Sequence, residues 1–324
     1  MDRRQFLKTS ALTGAAIAFP GWVMGRAAVA ATQPSGCLWG AYVRPQGTET
    51  PQSAVANFEA KIGRRLSVTR HYLNWNDELP GQYAEWSASQ GYRQYISWHA
   101  LGHQGGGISW RSIANGTYDT WIREQATRMK EWGRRTYFTF HHEPEADPSG
   151  NSKDFKAAWS HVRDIFANIG TPNLRWVVTL TASTYDGGHG GPMAWLPKQY
   201  DALGVDGYNR FPCLDNKPVH PWKSFWGVFH SAHNLSLKLR KPMIVGEYGS
   251  VEQTACGNSA GDPNAKAQWL MGAGETLQAW TNVKVAMYSH TLGNFEGFPE
   301  AYWVDTSAQS LAAYSTVGNH PYFI

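Results

Sequence analysis

Charge is scarce in this 324-residue chain, where Asp, Glu, Lys and Arg together make up 17%. Cysteine is scarcer still: Cys37, Cys213 and Cys256 form no C-x-x-C pair, which removes the usual spacing of a structural zinc site. The stretch most open to reading as a membrane anchor, residues 9–25, has only 17 residues and is interrupted by Pro20 and several glycines. A spanning helix needs about 20 apolar residues, so an anchor is disfavoured. No Pro/Ser-rich linker, repeat or low-complexity tract divides residues 37–324. What the chain does have is rings, with 16 Trp, 15 Tyr and 13 Phe. That many aromatics at so low a charge density excludes intrinsic disorder. They suit a packed core, and also surfaces that grip an apolar or amphipathic face.

The N-terminus reads as a targeting segment. Arg3-Arg4 with Phe6-Leu7-Lys8, an uncharged stretch to Gly25, and Ala28-Val29-Ala30 before Ala31 resemble a twin-arginine export signal with an A-x-A cleavage site. A lipoprotein site at Cys37 lacks the preceding apolar residue, since Pro34-Ser35-Gly36 stands there. Removing residues 1–30 takes four basic residues and one acidic one, leaving 25 against 24 and a net charge of +1 in place of +4. No basic cluster remains to displace counterions from a phosphate backbone, so nucleic acid is not an expected partner. The expected organisation is a signal peptide at 1–30 and one exported domain at 31–324, with no stable membrane insertion after cleavage.

Within that domain short apolar runs alternate with longer helical patterns. Strands are predicted at 38–42, 66–71, 94–98, 136–140, 176–180, 204–208, 243–245 and 283–289, rich enough in β-branched and aromatic residues to be buried on both faces. Helices are predicted at 51–63, 118–133, 152–169, 222–239, 264–280 and 307–317, with weaker patterns after strands two and five. Eight βα units in this length make the fold class α/β, a single (β/α)8 TIM barrel. A doubly wound sheet is the competitor, but no Gly-rich phosphate fingerprint follows strand one.

Such barrels place chemistry at the C-terminal ends of their strands. Strand four ends in His141-His142-Glu143-Pro144-Glu145 and strand seven in Gly246-Glu247-Tyr248. Two carboxylates 104 residues apart thereby face each other across the mouth. Either alone could cap a helix or pair with an arginine. Together they are the pair that glycoside hydrolysis requires, one a protonated acid and the other an ionised nucleophile. Metal chemistry is the rival. His141, His142, Glu143, Glu145 and Asp147 crowd together, but H-E-x-x-H would need a second His where Ala146 stands, and strand alternation sends His141 and His142 to opposite faces. No metal is expected.

Glutamates ending strands four and seven, with His142 before the first, resemble glycoside hydrolase family 26. Its retaining TIM-barrel members are endo-β-mannanases with some β-xylanases and lichenases. The resemblance implies that Glu143 is the general acid/base and Glu247 the nucleophile, with His142 near the acid/base or the sugar. Asp206-Gly207-Tyr208 matches the family's Asp-x-Tyr, which implies that Tyr208 orients Glu247 and that Asp206 supports the site. Two segments depart from it: Pro144-Glu145-Ala146-Asp147 replaces the usual Met-Asn, and Tyr288-Ser289-His290 stands where a tryptophan is common.

Other strand ends supply further candidates. Arg70 is expected to hydrogen-bond the nucleophile and favour its ionised form. Trp75, Trp98 and Trp303 are candidate platforms for the apolar face of a sugar, with His99, Tyr288 and His290 as further contacts. Cys213 and Cys256, on neighbouring top loops, are expected to form a disulfide. The expected function is retaining hydrolysis of a β-linked polysaccharide, β-1,4-mannan first, by an exported monomer needing no cofactor. A β-xylanase or mixed-linkage β-glucanase of the same fold is the alternative within this class, and a non-catalytic glycan-binding protein on a degenerate barrel the alternative outside it.

Overall fold

The structure, a computed structural model, describes residues 36–146, 149–258, 260–295 and 297–324. The expected cleavage site after Ala30 lies outside the described residues. Eight parallel strands close into a barrel: β1 (Leu38–Val43), β2 (Val68–Leu73), β3 (Arg93–Trp98), β4 (Thr136–Phe140), β5 (Leu174–Thr181), β6 (Ala202–Asn209), β7 (Met243–Ser250) and β8 (Val283–His290). They neighbour one another in chain order. β8 pairs back onto β1, from Leu38 opposite Val285 to Val43 opposite His290. The expected single (β/α)8 barrel is the fold.

Alternation along each strand sorts the residues into two cores. Leu38, Val68, Tyr95, Val177, Ala202, Ile244, Val285 and Met287 fill the barrel interior. Gly40 belongs to that layer because a Cβ there would come within 2.3 Å of the Met287 sulfur. The larger core lies between sheet and helices and holds Trp39, Phe58, Trp98, Phe138, Phe155, Trp159, Phe166, Trp176 and Phe229.

The helices begin and end where local chemistry dictates. Pro51–Ile62 starts on a Thr50–Ser53 capping box and stops at left-handed Gly63. Ser152–Ile169 is capped by Asn151 and ends at left-handed Gly170. Asp119–Trp132, Phe225–Lys238, Ala265–Ala279 and Ala308–Gly318 complete the long ones, each within three residues of its predicted limits. The weak pattern after strand two is a real helix, Gln82–Ser89. After strand five there are only short turns, Ala182–Tyr185 and Pro192–Trp195 with the 3-10 turn Gly188–Gly190 between them. Four of the five residues 187–191 are glycine (Gly187, Gly188, Gly190 and Gly191), and so many glycines close together cost a helix too much backbone entropy.

The largest difference from the predicted strands is at β7, which runs five residues past Val245. Gly246 and Gly249 weaken its local strand signal, but the ladder continues, with Glu247 opposite Asp206 and Ser250 opposite Asn209. None of the helices among the described residues is long and apolar enough to cross a membrane.

Candidate active site

The mouth of the barrel is built by pairs of residues two apart, which alternation places on the same inward face. β2 supplies Arg70 and Tyr72, β6 supplies Asp206 and Tyr208, and β8 supplies Ser289. β7 reaches Glu247 through an irregularity. Val205 and Val245 are partners, the next pair is Asp206 and Glu247, and Gly246 is left over as a bulge. A Cβ on Gly246 would lie 2.4 Å from Asp206 Oδ1, so glycine is needed for the Asp206 carboxylate to lie against this strand.

Both oxygens of Glu247 accept hydrogen bonds. Tyr72 Oη donates to Oε1 at 2.6 Å and Tyr208 Oη to Oε2 at 2.5 Å. Two O–H donors suit an ionised carboxylate, which is acceptor-only. Burial and the Glu247 charge hold both phenols well above their usual range, so they stay protonated and able to donate. Arg70 Nη2 lies 3.9 Å from Glu247 and 3.9 Å from Asp206. Its guanidinium is fully buried and stacked 3.7 Å over the Tyr95 ring. The hydrogen bonds expected from Arg70 thus come from the tyrosines, and Arg70 contributes a buried positive charge. Asp206 has no hydrogen-bond partner on either oxygen. Burial, then the neighbouring Glu247 charge, raise its carboxyl well above the usual range.

Glu143 follows β4 in a left-handed conformation, φ 50°, and its N–H donates to the Thr179 carbonyl at 3.0 Å. Burial is the main cause that raises its carboxyl, followed by the charges of Glu247 and Glu145, and together they push it up to about 8. The two candidate carboxyls therefore differ in setting. One is poised to carry a proton at neutral pH, and the other is fully engaged as an acceptor.

His141 is also left-handed, φ 55°. It packs into the outer core against Trp110 and Phe140, while His142 turns into the mouth beside Tyr72 and Glu247. The two thus face different sides, as expected, and each ring also contacts His99, at 5.0 Å and 4.1 Å. His141 Nδ1 accepts from the Ala100 N–H and the Trp110 indole, which puts its own ring proton on Nε2. His142 Nδ1 is hydrogen-bonded to His99 Nε2, and His142 Nε2 lies 3.8 Å from Glu247. Burial, with His99 and Arg70 as further causes, lowers His142 well below its usual range and keeps it neutral.

Ligand atoms of His142, Asp206 and Glu247 lie within 4.8 Å of one another, the spacing of a possible metal cluster. The set does not fit one. Arg70 already stands against both carboxylates with its positive charge, and the Glu247 oxygens are taken by phenol protons.

A cleft of about 680 Å³ opens beside these groups and is lined by Glu143, Glu247, Asp206, Tyr208, Thr181, Ser183, Asp186, Arg210, His220 and Lys223. That volume suits one or a few sugar rings. Arg210 closes one side, 2.6 Å from Glu300 on the antiparallel ribbon Leu292–Phe295/Phe298–Ala301. Cys213 and Cys256 are joined by a disulfide across the loops after β6 and β7.

Several expected sugar contacts lie elsewhere. Trp75 and Trp98 are 3% and 0% exposed and stack on each other at 4.5 Å, so neither offers a free ring face. Tyr288 is fully buried between Tyr248 and Tyr314, pointing away from the mouth. Its neighbour Ser289 takes the inward position. His290 is buried against Phe58, and its Nδ1 accepts the Val304 N–H. Trp303 keeps partial exposure, edge-on to His290, with its carbonyl held by Lys266. His99 serves the histidine cluster. Sequence reasoning missed Tyr72, Ser289 and Arg210, and weighed Glu145 only as a metal ligand. The first was within reach, because Arg70-x-Tyr72 repeats on β2 the spacing of Asp206-x-Tyr208 on β6.

Residues 1–20 match the TAT (twin-arginine translocation) pathway signal sequence, so the protein carries an export signal. Endoglucanase H of Acetivibrio thermocellus is 26% identical over 294 residues, covering 86% of this chain but 30% of the relative's own length. Among solved structures, a ruminal GH26 endo-β-1,4-mannanase aligns with a TM-score of 0.57 at 14% identity, covering 89% of this chain and 64% of its own. A family 5 xyloglucanase from Paenibacillus pabuli gives a TM-score of 0.57 at 16% identity, over 87% and 97%. These relatives are glycoside hydrolases, and the chain has their (β/α)8 fold.

Proposed function

We propose that this protein is an exported retaining glycoside hydrolase of the family 26 kind, acting on a β-linked polysaccharide with β-1,4-mannan first. The observation that carries the reading is the contrast between Glu143, protonated up to about pH 8, and Glu247, held by two phenol donors beside Arg70. A retaining mechanism needs that division of labour between two carboxyl groups. Glu143 gives its proton to the glycosidic oxygen while Glu247 attacks the anomeric carbon. The leaving sugar departs and a glycosyl–Glu247 ester forms. Glu143, now ionised, takes a proton from water, and that water cleaves the ester to restore both residues. Tyr72 and Tyr208 aim Glu247, and His142, neutral beside it, adds no competing charge. Trp303 is the remaining candidate platform at the rim. The domain begins after cleavage at Ala30 and acts as a monomer without a cofactor.

The name of the Acetivibrio thermocellus relative favours a second substrate, a β-glucan. A panel of mannan, glucomannan, mixed-linkage β-glucan, xylan and cellulose, tested with wild-type and Glu143→Ala protein, decides between them. Release of reducing sugar from one member by wild type and not by the variant supports the reading. Activity on none, with binding to one, supports a glycan-binding protein instead.

A further inference from the structure

Glu145 is a carboxylate that the reaction above does not use, yet it lies two residues beyond the acid/base in the 3-10 turn Pro144–Ala146. Its Oε1 accepts three hydrogen bonds, from the Thr181 N–H at 2.5 Å, Thr181 Oγ1 at 2.9 Å and Thr184 Oγ1 at 2.8 Å. Its Oε2 is buried and has no hydrogen-bond partner. The Glu143 N–H is anchored to Thr179, on the same strand end. We propose that Glu145 is a positioning residue for the reaction: it ties the turn after Glu143 to the end of β5, so holding Glu143 in its left-handed conformation, and it sets a second negative charge beside the acid/base.

This rests on the reading of Glu143 as acid/base. The tether accounts for a backbone conformation that residues other than glycine seldom adopt. Hydrogen bonding alone does not account for the choice of a carboxylate, because a glutamine amide oxygen could accept the same three donors. What the carboxylate adds is charge close to Glu143. Glu247 on β7, Asp206 on β6, Arg70 on β2, Arg210 after β6, and Asp186, His220 and Lys223 along the cleft also face that site. Arg70 and Arg210 favour the ionised form of Glu143, and Glu145 joins Glu247 in opposing them. The turn Pro144-Glu145-Ala146, a departure from the family pattern, thereby acquires a role.

The test is carbon-13 NMR titration of the side-chain carboxyls in full-length exported protein labelled at glutamate, with the Glu143 signal assigned by its loss in Glu143→Gln. The wild-type midpoint is expected near 8. Glu145→Gln keeps the acceptors and removes the charge, and is expected to lower the midpoint by on the order of one pH unit. The alkaline limb of kcat/KM should move down with it. Thr184→Val loosens the tether and keeps the charge. It is expected to leave the midpoint in place and lower kcat about tenfold, the size of one lost hydrogen bond to a charged group. An unchanged midpoint in Glu145→Gln, or unchanged kcat in Thr184→Val, overturns the proposal. If Glu145→Gln does not fold, Glu145→Asp keeps the charge on a shorter tether. A midpoint still near 8 with lowered kcat then supports the proposal, and unaltered kcat overturns it. The midpoint is readable whether or not any glycan is cleaved, so failure here is distinct from failure of the hydrolase reading.

Discussion

Tyr208 Oη lies 2.5 Å from Glu247 Oε2 and 3.0 Å from Ser289 Oγ. A phenol has one proton, and the carboxylate is the stronger and closer acceptor, so the Tyr208 proton goes to Glu247, with Ser289 standing beside the same phenol oxygen. Tyr72 makes the matching bond to the other oxygen. Strands β2 and β6 thus fix the rotation of a carboxylate that belongs to β7.

Removing either donor should misdirect Glu247 without disturbing the barrel. Tyr208→Phe and Tyr72→Phe are each expected to lower kcat/KM by about 10- to 100-fold, the range for one hydrogen bond to a charged group. Melting temperatures should stay close to wild type. Steady-state kinetics on the responsive polysaccharide measure this, and full activity in both variants would remove the tyrosines from the account.

The raised Glu143 carboxyl sets a pH dependence of activity and of stability. With its midpoint pushed up to about 8, kcat/KM should fall as pH rises through that value and the acid loses its proton. In the unfolded chain the same group titrates near its ordinary value of about 4.5. Between the two values the native state holds a proton that the unfolded state has released, so stability declines as pH rises through that window. Glu143→Gln removes the dependence. It should melt higher than wild type at pH 8 and about the same at pH 4, by calorimetry. A variant less stable than wild type at pH 8 would contradict burial as the cause.

The Cys213–Cys256 disulfide closes a span of 43 residues. On the loop-entropy account, replacing both cysteines by serine should cost about 2–4 kcal/mol and several degrees of melting temperature. Reductant should bring the wild type to the same value. The outcome that counts against this is a melting temperature indifferent to both treatments.

The twin-arginine signal matched at residues 1–20 contains Arg3 and Arg4. Arg3→Lys/Arg4→Lys protein should accumulate inside a host that exports the wild type by the twin-arginine route. N-terminal sequencing of the exported wild type should begin at Ala31. Export of the double variant at the wild-type level would assign targeting to other residues.

The barrel was legible because its signals are local and repeated: buried β-branched runs, capped helices, and glycines at helix ends such as Gly63 and Gly170. Glu143 and Glu247 were legible for the same reason, each standing at a strand end. The length of β7 was not, because a strand carrying Gly246 and Gly249 is held by its ladder partners rather than by propensity. Trp75 and Trp98 misled, because a tryptophan near a strand end serves a core as well as a cleft. Only the tertiary stack of one ring on the other separates the two roles. Glu145 read as a departure from a pattern, and its three donors lie more than 35 residues away on another strand end.

The central claim is that Glu143 and Glu247 act in two displacements at one carbon. Proton NMR of the first reducing ends released from the responsive β-glycan, recorded before mutarotation, tests it most directly. Two inversions predict β-anomers first, and α-anomers first would contradict the account.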